Sequence, residues 1–160
     1  MADDSTLLRK TLADALDGGQ AHATLQDATS GLPVKLLTTK PAGSPHNAWQ
    51  LIEHIRIALE DLLEFCRNPK YKAMRWPDDY WPPADANPGA DDWERSRQAI
   101  STAMHELQNL VRDPATDLEA KIAWGDGQTI LREVLLAVDH TSYHTGQLVM
   151  LRKQLDQWED

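Results

Sequence analysis

Cysteine is almost missing from this sequence: Cys66 is the only one in 160 residues. That excludes an intrachain disulfide and makes the cytoplasm the expected compartment. Cations are also scarce, with 16 lysines and arginines against 25 acidic residues and a net charge of −9. With no basic stripe to offset that charge, no nucleic-acid partner is expected. No stretch approaches the ~20 apolar residues of a membrane span, so no membrane partner is expected either. The opening "MADDSTLLRK" lacks the basic flank and apolar run of a secretory signal. Internal repeats and low-complexity segments are absent. What remains is an acidic domain of ordinary composition, and 160 residues is enough for one substantial core, so residues 1–160 are expected to form a single domain.

Four helical patterns are present. The first, about 3–17, carries Leu8, Leu12 and Ala15 and stops at Gly18-Gly19, a good terminator. "TLQDATSGL" fits a short extra helix capped by Thr24. The second long helix, 44–67, is expected to open at Ser44-Pro45, a capping residue followed by a proline that loses nothing in the first turn. Its apolar positions Leu51, Ile52, Ile55, Ala58, Leu59, Leu62, Leu63 and Cys66 recur with helical period.

Residues 68–90 hold five of the nine prolines and two of the six tryptophans. An irregular connection this long is uncommon; here it is expected to cross the bundle, so that the second and third long helices run roughly parallel. The third, 91–112, is expected to begin near Asp91 with Glu94 closing a capping box. The fourth, 129–156, steps Ile130, Val134, Ala137, Thr141, His144, Leu148, Leu151, Leu155, a heptad seam of the kind bundle helices turn toward their neighbours. The expected fold is therefore all-α, a four-helix bundle with a long irregular crossover between helices two and three.

Within "DHTSYHTGQL", His144 occupies the seam itself and His140 its shoulder one turn earlier. Two imidazoles at i and i+4 can share one cation. They can equally be two hydrogen-bonded histidines on a helix flank, and spacing alone does not decide between these. His54, on the edge of the second helix's apolar stripe, offers a third nitrogen. Three imidazoles from two helices would leave an open coordination position, as catalytic sites do. The other histidines, His22, His46 and His105, fall at loop, first-turn and solvent-facing positions, where a ligating role is not expected.

"DHTSYHTGQLVMLRKQL" resembles the C-terminal signature of the DinB/YfiT-like family: a histidine, then Tyr-His-x-Gly-Gln, then Leu-Arg. "SPHNAWQLIEHIRIALEDLLEF" is similar to that family's second-helix segment with its single histidine. With the first and third helices the resemblance covers nearly the whole chain. It implies a four-helix bundle holding a divalent metal through His54, His140 and His144, with no departure at those positions. It also implies a metal-dependent enzyme that uses the cation to activate a low-molecular-weight thiol for S-transfer or isomerisation of a small-molecule substrate. The competing expectation is a non-catalytic, stress-related module braced by its ion. A hydrolase-like metalloenzyme is the third expectation; it would want a carboxylate base near the metal, and neither histidine helix has the H-E-x-x-H arrangement. Zinc or nickel is the expected metal, with copper and iron also within imidazole's range.

Gln147, Asp139 and Glu53 are candidates to orient ligands, Trp49 and Tyr143 to line a pocket. Gly146 suggests close approach of another backbone, and Cys66 a buried, inert thiol outside the metal shell. Exposed tryptophans in the crossover offer a homodimer contact.

Overall fold

A computed structural model describes residues 4–159. The expected start at residue 3 lies outside that range. Five helices appear: α1 (Asp4–Asp17), α2 (Leu25–Thr29), α3 (Ala48–Arg67), α4 (Ala90–Arg112) and α5 (Ile130–Gln154). Among the described residues there is no strand, only an isolated bridge between Lys121 and Thr129. The fold is all-α, as expected.

Local sequence explains where the helices begin. α2 opens at Thr24, which exchanges capping hydrogen bonds with Asp27. α3 opens at Asn47, not at Ser44-Pro45: the Asn47 side chain accepts from Gln50 N–H, and Gln50 Oε1 accepts from Asn47 N–H. Ser44 instead donates its hydroxyl to the His46 carbonyl within the preceding loop. A reciprocal cap satisfies two orphan donors, and so prevails over a serine that satisfies none of them. α4 opens one residue earlier than expected, with Asp92 rather than Glu94 closing on the Gly89 N–H; Glu94 pairs with Arg97. Thr129 caps α5 through the Arg132 N–H.

The bundle is ordered around a square, with α4 and α5 each packed between α1 and α3. Contacts fix the directions. Glu53 and Ser96, early in α3 and α4, are bonded, as are Arg67 and Glu106 toward their ends, so these helices run parallel. Arg9 meets Val111 while Ala13 meets Gln108, so α1 opposes α4. Cys66 at the end of α3 lies near Glu133 at the start of α5, and this pair is antiparallel too.

The crossover 68–89 is irregular apart from a short 3-10 turn, Asp78–Tyr80. It is nevertheless pinned to α3. Asp61 accepts hydrogen bonds from both Tyr71 Oη, at 2.9 Å, and Tyr80 Oη, at 2.5 Å. On the opposite side, α2 is held by two arginines at its C-terminal end, where orphan carbonyls and the helix dipole favour a cation. Arg152 of α5 donates to the carbonyls of Asp27, Ala28 and Ser30, and Arg97 of α4 to the hydroxyls of Thr29 and Ser30.

The core joins Leu51, Ile52, Ile55 and Leu59 of α3 to Leu107 and Val111 of α4 and to Val134, Ala137, Leu148 and Leu151 of α5. The seam expected along α5 is thus the buried one, and His144 sits within it.

Candidate metal centre

Two turns into α3, the apolar stripe carries His54 inward until it is only 2% exposed. α5 passes it in the opposite direction and presents His140 and His144 from successive turns. The centroids of the His54 ring and these two lie 4.8 and 4.7 Å apart, and His140 and His144 are separated by 4.5 Å. One ring nitrogen from each histidine lies within 4.8 Å of the others. No thiol or carboxylate joins such a group among the described residues.

Hydrogen bonding selects the tautomers. The Tyr80 carbonyl, 2.8 Å from His54 Nδ1, can only accept, so Nδ1 carries the proton and Nε2 is a bare lone pair. His144 Nδ1 faces Gln147 Oε1 at 2.7 Å, which frees its Nε2 in the same way. His140 Nε2 lies 3.0 Å from His54 Nε2, while its buried Nδ1 has no partner. Without a cation, only one hydrogen can lie between the converging Nε2 atoms of His54 and His140, whereas a cation would engage both lone pairs; His140 Nδ1 is without a partner in either case. Three imidazoles with their lone pairs turned together are the donor set a divalent ion requires. The residues fit such an ion.

Electrostatics act in the same direction. Burial lowers the pKa of His54 and His144. Burial, with repulsion from both neighbours, pushes His140 down to about 4. All three are therefore neutral at physiological pH, the form that ligates.

Aromatic rings close the site. Trp81 lies flat on His54, with centroids 3.9 Å apart and planes at 2°, and His46 lies on Trp81's other face at 4.1 Å. Tyr143, though exposed, meets His144 edge-on at 4.9 Å, and its hydroxyl accepts from Gln147 Nε2 at 3.2 Å.

The expected orienting residues divide. Gln147 does hold His144. Asp139 is exposed and without a hydrogen bond among the described residues, because it points away from both partner helices. Glu53 is turned toward α4, where it accepts from the Ser96 hydroxyl, and it pairs with Arg56 of its own helix. Trp49 packs against the core and lines the α3–α4 groove. No backbone approaches Gly146, where an added Cβ would meet nothing within 4 Å. Cys66 is buried, and burial pushes its thiol up to about 12, so it is inert as expected. His22 and His105 are solvent-facing.

Sequence reasoning missed Tyr80, whose contribution is a backbone carbonyl that no side-chain motif reports. It also missed Trp81 and His46, whose stacking depends on how an aperiodic loop folds back. Trp76 alone of the two crossover tryptophans is exposed, at 71%.

A family model described as the DinB superfamily matches residues 19–148. No curated protein and no solved structure matches the chain.

Proposed function

The chain belongs to the DinB superfamily, and we propose that it is a metal-dependent enzyme whose divalent cation, zinc or nickel, is held by His54, His140 and His144. The observation that carries this reading is the convergence of three neutral imidazoles within 4.8 Å, two of them with tautomers set by Tyr80 and Gln147. When bound, the cation would supply a lowered pKa to a small thiol or to water. The chain's own residues would hold the ligand rings, keep them neutral and shield one face of His54 behind Trp81.

The reaction we propose is thiol S-transfer to a small electrophile. The thiol must come from a low-molecular-weight co-substrate, because Cys66, held near pKa 12 by burial, supplies no thiolate. The single cysteine supports a cytoplasmic setting; no helix among the described residues is long and apolar enough to cross a membrane. A homodimer through exposed Trp76 is the proposed assembly.

A second reading has an observation of its own. His54 and His144 are only 2% and 6% exposed, which suits an ion that braces α3 against α5 without catalysis. One experiment separates the two. Elemental analysis should find stoichiometric metal in the purified protein. Cobalt-substituted protein titrated with cysteine and with 2-mercaptoethanol should develop a sulfur-to-metal charge-transfer band that is lost in His140→Ala. A spectrum that no thiol perturbs, with no exchangeable water on the metal, assigns the ion to bracing.

A further inference from the structure

Among the described residues, the two most exposed large hydrophobic side chains are Trp76, at 71%, and Tyr143, at 63%. Both stand against rings of the histidine cluster. Trp76 lies 6.4 Å from His54 with planes at 51°, and Tyr143 lies 4.9 Å from His144 with planes at 77°. One belongs to the crossover and the other to α5, so folding alone gathers this apolar surface at the site. A single exposed ring is ordinary, but two that meet one donor cluster from separate elements need a reason. The cluster itself reaches the surface at His140, which is half-buried where His54 and His144 are buried.

The two crossover tryptophans differ in what their faces do. Both faces of Trp81 are taken, by His54 at 3.9 Å and His46 at 4.1 Å, so Trp81 is wall. Trp76 is steadied by tilted contacts with His54 and with Tyr80, the latter at 5.1 Å and 61°. No ring among the described residues is stacked on it, and its indole is open to water. The ionisable groups nearby supply no cation for an anionic ligand. Arg75 is paired with Asp79. Lys40 is near His46, which Trp81 separates from His54. Asp78 and Asp139 are exposed, without a hydrogen bond or ion pair among the described residues, and their sign repels an anion.

We propose that Trp76 is a specificity-determining residue of the metal centre: the small-molecule substrate carries an uncharged aromatic ring that stacks on the open face of Trp76, with Tyr143 bounding its approach on the α5 side. This rests on the metal-centred reading and adds the class of substrate to it. An aromatic ring is favoured over an aliphatic group of equal size because Trp76 and Tyr143 both offer π faces, which pair with another ring beyond the area they bury.

The test titrates cobalt-substituted protein with phenylmethanethiol and cyclohexylmethanethiol, which share a sulfur and a one-carbon arm and differ only in the ring. 2-Mercaptoethanol is the reference thiol. All three should raise a sulfur-to-metal charge-transfer band, and the phenyl compound should bind roughly two- to tenfold tighter than the cyclohexyl one, the worth of one aromatic pair. Trp76→Ala should abolish that preference while keeping its cobalt, and Trp76→Phe should retain most of it. No band with any thiol would reject the metal reading, and this proposal would fall with it. Bands with all three but no phenyl preference, or a preference that survives Trp76→Ala, would overturn the proposal alone. Loss of cobalt in Trp76→Ala would make the indole a prop for His54 instead. A phenyl affinity that falls as the protein is concentrated would assign Trp76 to a contact between copies of the chain, and would also overturn it.

Discussion

His144 occupies a position that a bundle helix ordinarily gives to leucine, and the structure shows why an imidazole can stay there. Its Nδ1–H is satisfied by Gln147, burial lowers its pKa so that the ring is neutral, and Tyr143 packs against its face. Core packing and ligation therefore meet at one residue, and two substitutions separate them. His144→Ala should lose the metal and leave a void between α3 and α5, at a cost of about 2–5 kcal/mol by analogy with other large-to-small core changes. His144→Leu should lose the metal equally but refill the seam, and should melt measurably above the alanine variant. Calorimetry and elemental analysis of both variants check this. Stoichiometric metal retained in both would make His144 a core residue only.

At the scale of elements, the crossover contributes more to the site than its irregularity suggests. Asp61, two turns beyond His54 on α3, draws in the hydroxyls of Tyr71 and Tyr80. Burial, reinforced by these bonds to Asp61, pushes Tyr71 up to about 12 and Tyr80 further, so both remain protonated donors. Fixing the Tyr80 ring places its own carbonyl on His54 Nδ1 and the next residue, Trp81, on the His54 face. Asp61→Ala should release both tyrosines while leaving helix content by circular dichroism unchanged. Zinc affinity by calorimetric titration should fall about 10- to 100-fold, the usual effect of losing a group that orients a ligand. An unchanged affinity would mean that Trp81 stacking alone holds the ring.

For the whole molecule, the three clustered histidines, two buried and His140 half-buried, make stability depend on pH in a definite direction. Each has a folded-state pKa below the ordinary 6.5, with burial as the main cause. Below about pH 6.5 the unfolded chain therefore binds protons that the folded chain refuses. Stability of the metal-free protein should fall as pH drops through 6.5. For His140 the loss should continue down to its folded value of about 4, at no more than about 1.4 kcal/mol per pH unit for one group. Denaturant titrations at successive pH values check this. Replacing His140 by glutamine should flatten the curve between pH 4 and 6.5; an unaltered slope would show that His140 is not the group responsible.

The sequence by itself determined the helices, since the apolar period in α3 and α5 is a local property that tertiary packing had only to use. It also placed His140 and His144 on one face, because i and i+4 are neighbours on any α-helix, and put His54 at the edge of a stripe that had to face inward. One cap it misplaced: the start expected at Ser44-Pro45 gives way to Asn47, because the reciprocal bonds of Asn47 with Gln50 satisfy two orphan donors. Tertiary structure alone decided how close His54 comes to α5, which of its nitrogens is free, and that Trp81 rather than Trp76 turns inward. Those outcomes rest on contacts between residues such as Tyr80 and His54, 26 positions apart, made by a loop with no period to read.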